Sequence, residues 1–156
     1  MSGVSFTLSA WQSLSRWYGG KWLFSKLLCL KAPYFASIHP GFVALRPGYC
    51  EIYIKKRRAV LNHIGTVHAI AMCNMAELAG GTMTDVTIPG THRWIPKGMT
   101  VEYLAKAKTN LRAIAELEPI PSFEGNIDLP VMVKVLDTDD KMVFRAIITM
   151  RISTKI

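Results

Sequence analysis

Residues 68–80 read HAIAMCNMAELAG, and this stretch decides the fold. It is dense in small and apolar residues, and Glu77 is its only acidic residue. A helix that is apolar all round is a buried helix. We therefore predict a central helix with Thr66 as its N-cap and Gly80–Gly81 as its end.

Strand-like segments follow and precede this helix. Their apolar residues alternate, as expected for strands with one buried face, in residues 49–55, 100–108, 111–117, 127–136 and 142–153. The short connectors 109–110 and 137–141 are typical of antiparallel hairpins. The pattern predicts an α+β fold in which a long antiparallel sheet covers one apolar helix.

The N-terminal segment has a different pattern. We assign residues 1–32 to a helical extension, weakened at Gly19–Gly20, and residues 33–156 to the main domain. The residues Trp11, Leu14, Trp17 or Tyr18, and Trp22 recur at helical spacing and predict one helix face packed on the domain. The alternative is peripheral contact with a membrane surface, since cations alternate with aromatic residues at Arg16, Lys21, Lys26 and Lys31.

Composition limits the function classes. The 156 residues are half apolar, which excludes a disordered chain, and the net charge of +8 favours an anionic partner. No nucleic-acid motif is present, so we expect no nucleic acid. Three cysteines without metal-ligand spacing predict no metal site and fit a reducing compartment. No apolar run is long enough to span a membrane, and we expect a cytoplasmic protein.

Glu77 and His68 are candidate site residues at opposite ends of the predicted helix. Nine residues separate them, a rotation of about 180° and a rise of ~13 Å. They cannot meet within one helix, so a site that uses both needs two copies of the chain, a homodimer. Alternatively, neither residue is catalytic: the aliphatic part of the Glu77 side chain is buried while its carboxylate reaches water, and His68 bonds a local carbonyl group.

The segment before the helix contains Asn62, His63, Gly65 and Thr66. Unpaired backbone N–H groups at a helix start form a site for a developing oxyanion. Asn and Gly at such positions are also common in turns that have no catalytic role.

Asn62-His63-Ile64-Gly65-Thr66-Val67-His68, followed by Glu77, resembles the signature of hotdog-fold acyl-CoA thioesterases, especially the phenylacetic-acid-pathway type. That signature has Asn, Gly, a His six residues after the Asn, and an acid nine residues beyond the His. The resemblance covers residues 33–156. Two departures indicate a divergent branch: Ala69-Ile70 stands where Gly-Gly is usual, and Glu77 where the most similar type has Asp.

The resemblance implies a hotdog fold and a thioester hydrolase. Backbone N–H groups near Ala69, aided by Gly65, are expected to polarise the thioester carbonyl. Glu77 of a second subunit is expected to act as general base, or less favourably as nucleophile. Asn62 is expected to orient water or the carbonyl, and His68 to position the thioester or bond Asn62. Homodimers or dimers of dimers are expected, without a cofactor beyond the coenzyme A part of the substrate.

The phosphates of coenzyme A need surface cations. The candidates are two groups: Arg57 with Arg58, and Lys106 with Lys108. Basic residues of this kind are also common on solvent-exposed surfaces that bind nothing. Two other functions stay open: a hotdog dehydratase or hydratase, and a non-catalytic module that binds acyl-CoA or lipid.

Overall fold

The structure, a computed structural model, describes residues 4–155. Its three α-helices are α1 (Phe6–Leu14), α2 (Gly20–Lys31) and α3 (Ala69–Thr87). Its six strands are β1 (Gly41–Arg46), β2 (Tyr49–Ile54), β3 (His92–Tyr103), β4 (Leu111–Glu116), β5 (Ile127–Leu136) and β6 (Met142–Thr154). Short 3₁₀ segments occupy Pro33–Ile38 and Arg58–Val60.

The six strands form one antiparallel sheet in the order β1-β2-β4-β5-β6-β3. Alternate side chains of β4, β5 and β6 are buried on the face that contacts α3, as the sequence pattern predicts. Burial of this apolar face and of α3 provides the main hydrophobic stabilisation of the domain. The architecture is the predicted α+β hotdog fold, with one central helix against a six-stranded antiparallel sheet.

Helix α3 differs at both ends from the prediction. Its N-cap is His68 and not Thr66, and it continues past Gly80 as far as Thr87. The two glycines serve close packing instead of ending the helix. A Cβ atom on Gly80 would lie 3.1 Å from Cδ1 of Ile148, and one on Gly81 would lie 2.7 Å from Cη2 of Trp94.

Strand β3 also departs from the prediction of a strand at residues 100–108. It ends at Tyr103 and pairs with β6, so the predicted hairpin at residues 109–110 is wrong. Pro96 and Gly98 obscure the first half of β3 in the sequence, and an edge strand tolerates both. Strand β1 was not predicted, whereas the hairpin at residues 137–141 is confirmed.

The N-terminal segment forms two helices, α1 and α2, that pack on strand β1. The rings of Trp11, Phe24 and Phe42 meet edge to face or tilted, and the Ser25 hydroxyl accepts a hydrogen bond from Phe42 N at 3.0 Å. The segment therefore packs on the domain, but the predicted packing face is wrong: Trp11 is buried, whereas Trp17, Tyr18 and Trp22 are exposed. The chain turns at Gly19, where φ is 76°, so α2 does not continue the face of α1. The division of the chain between residues 32 and 33 stays a prediction. None of the helices within residues 4–155 is long and apolar enough to cross a membrane.

Candidate active site

The loop before α3 is closed by the side chain of Asn62. Its Oδ1 accepts hydrogen bonds from Ile64 N and Thr66 N, both at 3.1 Å, and its Nδ2 donates to Thr66 Oγ1 at 2.8 Å. Gly65, at φ 75°, donates its N–H to Asn62 O at 3.1 Å. Asn62 and Gly65 therefore hold the turn. The Gly65 N–H already has a partner within the turn, and its expected role in polarising a substrate carbonyl stays a prediction.

His68 caps the N-terminus of α3. Its Nδ1 accepts a hydrogen bond from Ile70 N at 3.0 Å, and its own N–H donates to Val60 O at 2.8 Å. The expected bond between His68 and Asn62 does not form within the described part of the chain. A helix start leaves its first N–H groups without helical partners. Those of Ala69 and Ala71 have no acceptor within residues 4–155, and the helix dipole makes this end electropositive.

Glu77 lies at the wall of a cavity of about 240 Å³ between α3, the N-terminal helices and the start of β3. Its side chain is partly buried, and the cavity is lined mainly by apolar groups with Lys31, Thr82 and Asp85 among the polar ones. An acid in such a place can take a proton from water next to a bound apolar ligand.

Asp85 is a residue that the sequence analysis missed. It lies eight residues after Glu77 on the same face of α3, lines the same cavity and accepts a hydrogen bond from Trp94 Nε1 at 3.1 Å. The helical periodicity would have revealed it if the helix had been extended beyond Gly81.

His68 borders a second and smaller cavity, of about 170 Å³, near the first 3₁₀ segment. The buried Asn74 lines this cavity and donates from Nδ2 to Ser37 Oγ at 3.1 Å. Its Oδ1 has no hydrogen-bond partner among the residues that the structure describes. Glu77 and His68 thus face different cavities, and the prediction that they do not meet within one helix is confirmed.

Helix α3 and strand β3 run in opposite directions. Near the start of α3, Cys73 Sγ lies 3.5 Å from Tyr103 Oη at the end of β3, and near its end Asp85 bonds Trp94 at the start of β3. Strand β3 is an edge of the sheet. Met99 and Tyr103 point to the inner face, opposite Ile148 and Phe144, yet remain 40% and 52% exposed.

The two predicted basic groups lie on either side of the start of α3. Val67 N donates to Ala107 O and His68 N to Val60 O, both at 2.8 Å, so residues 104–108 and the second 3₁₀ segment flank this end of the helix. Arg58, Lys106 and Lys108 are exposed. Arg57 instead anchors the first 3₁₀ segment, because its Nη2 donates to Ser37 O at 2.5 Å.

Comparisons with known proteins agree with the fold. A family model described as a domain of unknown function (DUF4442) matches residues 20–152. A crystal structure described as genomics APC5556 is 54% identical, with a TM-score of 0.85 over 97% of this chain and all of that one. A Pseudomonas aeruginosa protein of unknown function, PA5026, described as a probable thioesterase, is 23% identical with a TM-score of 0.76, covering 83% of this chain and 92% of its own.

A third structure is thioesterase HI1161 from Haemophilus influenzae. It is 12% identical with a TM-score of 0.71, over 82% of this chain and 87% of its own. No curated protein matches the chain. At these identities the second and third structures support the shared hotdog fold alone.

Proposed function

Since this chain belongs to the DUF4442 family and has the hotdog fold of thioesterase-family structures, we propose that it hydrolyses acyl-CoA thioesters at a site shared by two subunits. One observation carries the proposal. A single helix, α3, holds a part-buried carboxylate at a mostly apolar cavity and, nine residues earlier, a histidine-capped N-terminus with open N–H groups.

The opposite directions of α3 and β3 support a site between subunits. An exposed edge strand of twelve residues is a template for pairing with another chain. If the β3 strands of two subunits pair antiparallel and are centred on each other, the start of one β3 lies beside the end of the other. The start of β3 adjoins Asp85 and the Glu77 cavity, and its end adjoins the beginning of α3. Pairing therefore carries Glu77 towards the N-terminus of the second α3.

Such pairing also accounts for the exposure of the inner face of β3. Met99 and Tyr103 would be covered by the second subunit, and their burial would favour the dimer. Association of two dimers into a tetramer stays a prediction.

In the proposed reaction, the thioester carbonyl oxygen accepts hydrogen bonds from Ala69 N–H and Ala71 N–H. Glu77 of the other subunit removes a proton from water as the water oxygen bonds to the carbonyl carbon. The negative charge that develops on the carbonyl oxygen is stabilised by the N–H groups and by the helix dipole. The carbon–sulfur bond then breaks, the carbonyl re-forms, and the departing thiolate takes the proton from Glu77, which restores the carboxylate.

The residues around the start of α3 suggest how coenzyme A is held. Exposed Arg58, Lys106 and Lys108 flank the proposed carbonyl site and match the phosphate charges of the substrate. Arg57 contributes to the local positive potential but is held by Ser37 O. The acyl chain is expected in the mainly apolar cavity beside Glu77.

The test is thioester hydrolysis by Glu77→Gln, with a panel of acyl-CoA chain lengths. We expect kcat to fall at least about a hundredfold, because the amide cannot act as a base. Asp85→Asn is the matched control: it makes the same isosteric change, on the same helix face and in the same cavity, and is expected to keep activity within a few-fold. Full activity in Glu77→Gln, or an equal loss in both variants, would contradict the proposal.

Binding of acyl-CoA without turnover is the second candidate function. Two observations favour it. The polar groups of Asn62 and Gly65 are hydrogen-bonded within their own turn, and Ala69 stands where the signature usually has glycine. Calorimetric binding of a non-hydrolysable acyl-CoA, with no free thiol released from a hydrolysable one, would support this candidate and exclude hydrolysis.

A further inference from the structure

Helix α2 exposes an apolar surface on the side that faces away from the domain. Phe24, Ser25 and Cys29 are buried against the domain. The opposite side, with the turn that precedes it, is rich in large exposed side chains, which we call the α2 face: Trp17, Tyr18, Trp22, Leu23, Leu27 and Leu30. Trp17, Trp22 and Leu30 are 74%, 65% and 78% exposed. Large apolar side chains exposed together on one side of a helix are typical of an interaction site.

The charge around the α2 face has one sign. Residues 1–50 contain no Asp or Glu, whereas Arg16, Lys21, Lys26 and Lys31 occur at intervals of five residues. None of these four forms an ion pair within residues 4–155. Lys21 Nζ donates to Val43 O at 2.8 Å and lies over the buried Trp11 ring, so Arg16, Lys26 and Lys31 are the cations left to meet a partner. Lys26 Nζ lies 5.8 Å from the centre of the Trp22 ring, so a cation and an aromatic ring are presented side by side.

We propose that the α2 face docks on the surface of an anionic lipid bilayer. Tryptophan, tyrosine and leucine insert at the level of the headgroups and upper acyl chains, and lysine side chains reach the lipid phosphates. A two-fold contact between copies fits poorly, because it would bring the cations of each copy together with no acid in this part of the chain to pair with them.

The location of the face is compatible with the proposed dimer. Helix α2 packs on β1, and its Leu28 and Lys31 approach Trp94 of β3 across the Glu77 cavity. The α2 face is on the other side of the helix from the partly buried Leu28, so pairing of β3 edges does not require it. Leu28 and Lys31 of the same helix also line the Glu77 cavity. Docking would therefore place that cavity near the bilayer, where long-chain acyl thioesters partition. This last step rests on the proposed function, whereas docking itself does not.

The test is flotation of the full chain with lipid vesicles. We expect the protein to float with vesicles of equal parts phosphatidylcholine and phosphatidylglycerol, to float poorly with phosphatidylcholine alone, and to be released by added salt. The double variant Trp22→Ser/Leu30→Ser should reduce the floated fraction about tenfold, since it removes two apolar anchors. In the unaltered protein, tryptophan emission should shift to shorter wavelength when the anionic vesicles are added.

Two controls keep docking distinct from other causes. Met132→Ser removes an apolar side chain, 51% exposed, from the outer face of β5 and should float like the unaltered protein, as should Glu77→Gln. The proposal is overturned if the unaltered protein neither floats nor shifts its emission, or if Met132→Ser loses binding to the same extent. It is also overturned if the protein does not float and the double variant instead splits a larger oligomer, because a second copy would then cover the α2 face.

Discussion

The backbone N–H of Ala69 is the donor on which the proposed chemistry depends most. His68, the residue before it, has an extended backbone (φ −63°, ψ 140°), and Ala69 is the first residue of α3. Proline is well tolerated at the first helical position and after an extended residue, where it removes only the N–H. The site thus allows one donor to be deleted with little effect on the fold.

We predict that Ala69→Pro lowers kcat for thioester hydrolysis about a hundredfold, the usual effect of losing one oxyanion donor. The thermal unfolding midpoint should stay close to that of the unaltered protein. Ala69→Gly keeps the N–H and should retain activity. A proline variant with full activity would show that this donor takes no part in the reaction.

Tyr49 is a second residue with a measurable signature. Burial, together with its hydrogen bond to Glu51 Oε2 at 2.9 Å, raises the pKa of Tyr49 from 10.0 to about 12. Because the folded state favours the neutral phenol, this contribution to stability is full below pH 10.0 and is lost as the pH rises through about 12. Titration of phenolate absorbance should show a late step that is absent in Tyr49→Phe. Superimposable titration curves at high pH would contradict the assignment.

Helical spacing correctly separates Glu77 from His68 and Ala69 by more than two turns of α3, although the predicted N-cap was Thr66 and the observed one is His68. The sequence does not show that the polar groups of Asn62 and Gly65 are already hydrogen-bonded within their own turn. Their hydrogen bonds close a five-residue turn, and spacing alone does not distinguish a polar group that faces substrate from one that is satisfied within its own loop.

At the scale of elements, the junction of α1 and α2 is the most tightly constrained feature. Gly19 has a positive φ of 76°, and a Cβ atom on Gly20 would lie 1.7 Å from the carbonyl oxygen of Leu14. The backbone of α1 cannot yield to such a contact without moving the whole helix.

We therefore predict that Gly20→Ala lowers the free energy of unfolding by about 2–3 kcal/mol, as overpacking against rigid backbone does. Urea denaturation provides the measurement. Gly98→Ala is the control, since a Cβ atom there meets nothing within 4 Å, and its effect should stay within about 0.5 kcal/mol. Equal stability of Gly20→Ala and the unaltered protein would mean that α1 and α2 meet differently.

Alternation predicted β4, β5 and β6 well because one face of each strand is fully buried. It failed at β3, where the unpaired edge admits Pro96 and Gly98 and most side chains are exposed. The predicted end of α3 failed for another reason: Gly80 and Gly81 permit close contact with Ile148 and Trp94, and only the packed structure reveals that role.

At the scale of the whole molecule, the proposed dimer contact and the proposed lipid contact lie at opposite edges of the sheet. The β3 edge, with Met99 and Tyr103 exposed on its inner face, is assigned to pairing with a second subunit. The β1 edge carries α2 and its exposed apolar face, assigned to a lipid surface. The sequence anticipated both assignments through the spacing of His68 and Glu77 and through the cations among aromatic residues, but the direction of β3 relative to α3 required the structure.

The central claim is that each site takes Glu77 from one subunit and Ala69 N–H from the other. Its most direct test is the activity of a heterodimer of Glu77→Gln and Ala69→Pro subunits, isolated with two different affinity tags. One of its two sites then has both groups and the other has neither, so we predict about half the activity of the unaltered dimer, although each parent variant alone is nearly inactive. A heterodimer as inactive as its parents would contradict the claim, because both groups would then have to come from the same chain.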